Sequence, residues 1–96
     1  MLRSNTHSLS DLIKLYKRRH KLEQGIQESR LLKIWQEVVG KVIANKTSNL
    51  EIKNRKLYVH VSSPIIRNEL MILKSDILRR LNEESGGNTI DDIFFR

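Results

Sequence analysis

Residues 49–64, NLEIKNRKLYVHVSSP, decide the fold of this chain. Polar and apolar residues alternate in this stretch, first over 49–53 and again over 56–61, which is the period-two pattern of β-strands. Asn54 and Arg55 lie between the two runs and are expected to form the turn. The stretch therefore predicts a β-hairpin whose second strand places Leu57, Val59 and Val61 on one face.

The end of the same stretch predicts the start of a helix. Ser63 can cap a helix with its hydroxyl, and Pro64 at the first helical position loses no needed hydrogen bond. The helix should run to Gly86-Gly87, and a short last strand should follow at about residues 89–95. Its apolar residues recur at steps of four, three, four and four: Ile66, Leu70, Leu73, Ile77 and Leu81.

Two helices are expected before the hairpin. Ser8 and Asp11 resemble a capping box, so a first helix should cover residues 9–22 and end at Gly25, a natural left-handed cap. A second helix should cover residues 26–44. Residues 1–8 are expected to form a flexible arm, and residues 9–96 a single domain.

The order α-α-β-β-α-β predicts a small α+β sandwich, in which a three-stranded sheet carries helices on one face. Trp35 is the only tryptophan, and its aliphatic neighbours at helical spacing favour a core role over base stacking. Tyr58 points to the other face of its strand, where it would either stack a base or lie under a helix. The residues predicted for the core are Trp35, Val38, Val42, Leu70, Leu73 and Ile77.

The composition indicates a basic intracellular protein. Eighteen Lys and Arg residues against eleven Asp and Glu residues give a net charge of +7, which favours a polyanionic or acidic partner. The chain has no cysteine, so disulfides and thiol chemistry are excluded, and the cytoplasm is the expected location. No segment is apolar enough to predict a signal peptide or a membrane span.

No motif predicts catalysis, a metal or a cofactor. His7, His20 and His60 lack the spacing of paired metal ligands. The acidic pairs Glu83-Glu84 and Asp91-Asp92 are sequence neighbours, which point in different directions and so do not form a catalytic pair. We therefore expect a binding protein and not an enzyme.

Two groups of basic residues are the candidate nucleic-acid contacts. Lys14, Lys17, Arg18 and Lys21 are spaced i, i+3, i+4 and i+7 on the first predicted helix, which places them in one stripe. The apolar residues on the opposite side are expected to dock on the fold, so that the stripe faces outward: Leu9, Leu12, Ile13 and Tyr16. A solvated helix face and a polyanion contact explain this stripe about equally well. The second group lies at the tip of the hairpin: Lys53, Arg55 and Lys56.

Several short motifs together resemble the DciA family, bacterial proteins that act on the replicative DNA helicase. The similarity covers about residues 31–96, and each motif alone is weakly specific. The motifs are Trp35-x-x-Val38-Val39-Gly40, Thr47, Leu57-Tyr-Val-His-Val61 before Ser63-Pro64, Glu69-Leu70, Ile77-Leu78-x-x-Leu81-Asn82 and Ile93-x-x-Arg96.

The resemblance implies a fold similar to the K-homology domain, loading or stimulation of the hexameric helicase without catalysis, and affinity for single- or double-stranded DNA. The sequence has no GxxG clamp, so a standard K-homology grip on single strands is not expected. Two alternatives stay open at this point. One is an RNA-binding module associated with ribosomes or transcripts, and the other is an adaptor that binds an acidic protein.

Overall fold

The structure, a computed structural model, describes residues 8–96. The predicted flexible arm lies outside the described residues except for Ser8. The fold is α+β with a three-stranded sheet, as predicted. The elements are α1 (Leu9–Val39), α2 (Lys41–Asn45), β1 (Thr47–Lys53), β2 (Lys56–Val61), α3 (Pro64–Ile72), α4 (Lys74–Ser85) and β3 (Asp92–Phe95).

The sheet has the order β1-β2-β3, with β1 antiparallel and β3 parallel to the central strand β2. The predicted turn is confirmed, because Asn54 and Arg55 have φ angles of 50° and 64°. Two successive left-handed residues match the twist of the flanking strands. Ser63 caps α3 by accepting a hydrogen bond from the backbone N–H of Ile66, and Pro64 is its first residue, also as predicted.

The core lies between one face of the sheet and the helices. Leu57, Val59, Val61 and Ile93 supply the buried face of the sheet. The helices pack on it with the buried side chains of Leu31, Trp35, Val38, Leu70, Ile77 and Leu81.

Trp35 is a core residue, with only 3 % of its surface exposed. Its indole Nε1 donates a hydrogen bond to the hydroxyl oxygen of Thr47 over 3.2 Å. The Thr47 hydroxyl in turn donates to the backbone carbonyl of Ile43 over 3.1 Å. Since buried polar groups are costly without partners, this chain of bonds lets the indole lie in the core.

The prediction that the first helix ends at Gly25 is wrong. Leu9–Val39 is one continuous helix of 31 residues, and Gly25 lies in its interior. The glycines with positive φ among the described residues are Gly40, Gly86 and Gly87. Gly25 therefore has no left-handed conformation to supply, and the favourable residues on both sides carry the helix through it.

This correction predicts that Gly25→Ala stabilises the protein. A methyl group at Gly25 meets no atom within 4 Å. Alanine is about 0.5–1 kcal/mol more favourable than glycine inside a helix, so thermal unfolding followed by circular dichroism at 222 nm should shift upward. A left-handed cap at this position would make the same substitution destabilising, and a lower unfolding temperature would contradict the continuous helix.

Two further helix breaks differ from the prediction. Gly40, with φ 94°, ends α1 and separates it from α2, so Val42 does not continue the row of Trp35 and is 73 % exposed. Leu73, with φ −92° and ψ 6°, separates α3 from α4 and is 51 % exposed. The assignment of Val42 and Leu73 to the core is therefore wrong.

Within residues 8–96, no helix is both long enough and apolar enough to cross a membrane.

Candidate nucleic-acid interface

The N-terminal part of α1 extends away from the rest of the fold. We call residues 9–23 the projecting segment. Every residue from Leu12 to Glu23 is exposed. The first side chain of α1 that bonds to a distant part of the fold is that of Gln24, whose amide donates to the carbonyl of Thr89 over 2.8 Å. The longest dimension of the molecule is 62 Å, against 20 and 19 Å for the others.

The expectation that the apolar residues of this segment dock on the fold is therefore wrong. It assumed a chain reversal at Gly25, and the continuous helix instead directs the segment into solvent. The apolar side chains that remain exposed are Leu9, Leu12, Ile13, Leu15, Tyr16 and Leu22.

Local interactions favour the helix in this segment. The predicted capping box is present, because the Ser8 hydroxyl accepts from the Asp11 N–H and the Asp11 carboxylate accepts from the Ser8 N–H. One turn further on, the rings of Tyr16 and His20 stack with their centres 6.2 Å apart. Caps and i, i+4 contacts each stabilise a helix by a fraction of a kcal/mol to about 1 kcal/mol.

Lys14, Lys17, Arg18 and Lys21 form what we call the basic stripe. At 100° per residue these four positions fall within about 100° of the helix circumference and about 10 Å of its axis. All four are exposed. One strand of DNA presents a phosphate every ~3.4 Å along its axis, so a stripe of this length can contact several phosphates at once.

The basic stripe makes no ion pair with the described part of the fold. Every ion pair found among residues 8–96 joins residues between Glu51 and Asp92, and none includes a residue of α1. The sequence of residues 1–7 contains no Asp or Glu. Like charges at this spacing repel one another, and an anionic ligand would relieve that repulsion.

The cations at the hairpin tip, in contrast, have partners within the fold. Arg55 links three parts of the chain through hydrogen bonds. Its guanidinium bonds both carboxylate oxygens of Asp91, 36 residues away in sequence, at 3.1–3.3 Å. The same group donates to the carbonyl of Asn88 and to the side-chain oxygen of Gln24. Arg55 is therefore a structural residue in this fold and is poorly placed to contact a phosphate.

Lys53 and Lys56 also have carboxylate partners. The ammonium group of Lys56 lies 3.6 Å from Asp91, and that of Lys53 lies 3.7 Å from Glu51. Exposed ion pairs of this kind contribute little free energy, so both lysines can exchange partners. The hairpin cations therefore differ from those of the basic stripe in having carboxylate partners within the fold.

Two carboxylates next to these cations should make the fold sensitive to acid. Hydrogen bonds from Arg55 lower the pKa of Asp91, and those from Lys74 and from the backbone of Ile93 lower the pKa of Asp92. A carboxyl group whose pKa is lowered by folding stabilises the folded state above its unfolded pKa of about 4, and that contribution is lost as the pH falls through the folded-state pKa.

We therefore expect the unfolding temperature to fall as the pH is lowered below about 4. The double variant Asp91→Asn, Asp92→Asn should be less stable than the wild type at pH 6 and should lose less stability on acidification. Thermal unfolding at pH 6 and pH 3 measures both effects. Equal acid sensitivity of the two proteins would contradict this account.

Tyr58 lies on the outer face of the sheet, where its ring stacks on that of Phe94 with centres 5.3 Å apart. The guanidinium carbon of Arg96 lies 4.8 Å from the centre of the Tyr58 ring, and the ammonium group of Lys74 lies 5.7 Å from that of Phe94. The contacts of Tyr58 are thus with these neighbours in the same fold, and a base would have to displace one of them to stack on its face.

The histidines are apart from one another. His20 lies on α1 and His60 on β2, and His7 is outside the described residues. Among residues 8–96, no group of three or more His, Cys, Asp or Glu side chains is placed to hold a metal ion.

One exposed cation of the projecting segment, Arg19, was not among the predicted site residues. Arg19 follows Arg18 directly, and the 100° turn between successive residues places it outside the basic stripe. It lies instead among exposed apolar residues. Helical spacing alone gives this position, provided that the helix does not fold back.

The family model described as "Dna[CI] antecedent, DciA" matches residues 8–95 of the chain. The match includes all of the described elements, from the Ser8 cap to β3. The search of curated proteins finds no match.

Proposed function

Because the chain belongs to the DciA family, which is associated with helicase loading in DNA replication, we propose that it is a non-enzymatic accessory protein that binds DNA and loads or stimulates the replicative helicase. The family match over residues 8–95 carries this proposal. The site of action would be the cytoplasm, where the replicative helicase of a bacterium works.

In this proposal the basic stripe is the main contact with DNA. Its four side chains are exposed and have no carboxylate partner among the described residues. Contacts with phosphates do not read sequence, so the protein would bind DNA wherever a helicase must be loaded. Lys53 and Lys56 would add to this contact only after releasing their carboxylate partners.

A loading assay tests the proposed function. The purified replicative helicase of the same organism is incubated with forked DNA, with and without this protein, and strand separation is followed over time. We expect faster unwinding with the protein present and a complex of the two proteins on size-exclusion chromatography. The absence of both stimulation and complex would contradict the proposal.

Recovery of partners from a lysate separates the proposal from the alternatives. Helicase that stays bound after nuclease treatment supports it, because the contact is then between proteins. Ribosomal components that are lost after ribonuclease treatment, with no helicase recovered, would instead support an RNA-binding module. Retention of a different protein alone would support an adaptor.

A further inference from the structure

The projecting segment and the helical turn that follows it have a second surface beside the basic stripe. We call Leu12, Leu15, Leu22 and Ile26 the apolar stripe, since at 100° per residue they fall within about 80° of the circumference of α1. Each of these side chains is more than half exposed, between 52 % and 65 %. A contiguous run of exposed aliphatic side chains is typical of a surface that binds another protein.

The two stripes point in different directions. The centre of the apolar stripe is about 130° around the helix from the centre of the basic stripe. A DNA strand on the basic stripe would therefore leave the apolar stripe uncovered. One helix can in this way contact two ligands at the same time.

Arg19 identifies the chemistry of the ligand. It lies within the arc of the apolar stripe, between Leu15 and Leu22, and has no carboxylate within 4 Å among the described residues. Burying an unpaired guanidinium is costly, so a ligand that covers the apolar stripe must bring a carboxylate to Arg19. The fitting surface is thus apolar with an acidic group near its centre.

Gly25 adds a feature of shape. It lies next to Leu22 and Ile26, and these residues line a shallow indentation on the helix together with Ser29 and with Arg18 and Lys21 of the basic stripe. The space above Gly25 is open, because a methyl group there would meet nothing within 4 Å. A side chain of the partner can reach the backbone of α1 at this point.

A second copy of the chain and a membrane fit this surface less well. Two copies each carry a net charge of +7 and repel one another. A helix that binds lipid carries its cations on the polar face, whereas Arg19 lies within the arc of the apolar stripe.

We propose that the apolar stripe, with Arg19 at its centre, docks onto an acidic helical surface of the replicative helicase while the basic stripe holds DNA. The identity of this partner rests on the proposed function above. The projecting segment would then be the element that joins helicase and DNA. A helix packed on such a surface gains most of its binding free energy from a few aliphatic and arginine side chains.

Variants on the two stripes test this assignment. The double variant Leu15→Gln, Leu22→Gln removes apolar surface and keeps good helix formers, and Arg19→Glu reverses the charge that should meet a carboxylate. The matched control is Lys14→Gln, Lys21→Gln on the basic stripe. Helicase affinity is measured by biolayer interferometry with the purified hexamer, and DNA affinity by fluorescence anisotropy with a labelled duplex.

We expect both apolar-stripe variants to bind the helicase more than tenfold more weakly. The leucine double variant should keep the DNA affinity of the wild type, and the lysine control should show the reverse pattern. Circular dichroism at 222 nm confirms that each variant retains its helix, since all substituted side chains are exposed.

The measurements distinguish an error in the docking surface from an error in the proposed function. A wild-type protein that binds helicase no better than the leucine variant and Arg19→Glu would overturn the docking surface and leave the proposed function intact. A wild-type protein that forms no complex with helicase would overturn both. A concentration-dependent dimer, or binding to vesicles with anionic lipids, that the leucine substitutions abolish would overturn the assignment and identify the other occupant.

Discussion

Replacing Trp35 with alanine is expected to lower the free energy of unfolding by about 3–5 kcal/mol, the usual cost of removing a buried aromatic side chain. Only 3 % of Trp35 is exposed, and the substitution also removes the indole donor to Thr47. A domain of this size has a total stability of about 5–15 kcal/mol, so the variant should be largely unfolded at moderate denaturant concentrations. Urea unfolding followed by circular dichroism gives the difference directly.

Val42→Ala is the matched control, because the same helical row in the sequence predicts both residues to be buried. The structure leaves Val42 mostly exposed after the break at Gly40. Its substitution should therefore change the stability by no more than about 0.5 kcal/mol. A large loss for Val42→Ala, or a negligible one for Trp35→Ala, would contradict the position of this break and the packing around the indole.

Replacing Lys14, Lys17, Arg18 and Lys21 together with glutamine should weaken binding to duplex DNA on the order of 10⁴-fold at 50 mM salt if each contacts one phosphate, because each contact contributes mainly through released counterions. All four side chains are exposed, so the fold should tolerate the change. Anisotropy titrations with a labelled duplex measure the affinity. Affinity within threefold of the wild type would remove the basic stripe as the DNA contact.

A control for net charge is available in the same chain. Lys33, Lys41 and Lys46 are exposed lysines outside the projecting segment. Their replacement with glutamine removes as much charge as replacing the three lysines of the basic stripe. If position matters as well as total charge, the triple variant Lys14→Gln, Lys17→Gln, Lys21→Gln should lose much more DNA affinity than this control. Equal losses would mean that the protein binds DNA through its overall charge.

The sequence predicted the hairpin and the helix caps well because local chemistry determines them. The turn at Asn54 and Arg55 and the cap at Ser63 each depend on residues within one turn of chain. Helix ends were predicted poorly. Gly25 and Gly40 are both single glycines within a helical pattern, so the sequence does not show which of them ends the helix. In the structure the helix continues through Gly25, packs Trp35 and Val38 on the sheet, and ends at Gly40.

The candidate site was predicted in part, for the same reason. The basic stripe follows from helical spacing alone, and the structure leaves all four side chains exposed. The role of Arg55 depends on Asp91, which the fold brings from 36 residues away, so no local pattern could indicate it. The exposure of the apolar stripe could not be predicted either, since an amphipathic helix normally docks on its own domain.

The most direct test of the whole account is the salt dependence of DNA binding by the wild type and by the basic-stripe variant. Four phosphate contacts predict that the wild type loses about a hundredfold in affinity between 50 and 200 mM salt. The slope of the logarithm of affinity against the logarithm of salt concentration should become less negative by about 3–4 in the variant. An identical slope for both proteins would contradict the assignment of DNA binding to Lys14, Lys17, Arg18 and Lys21.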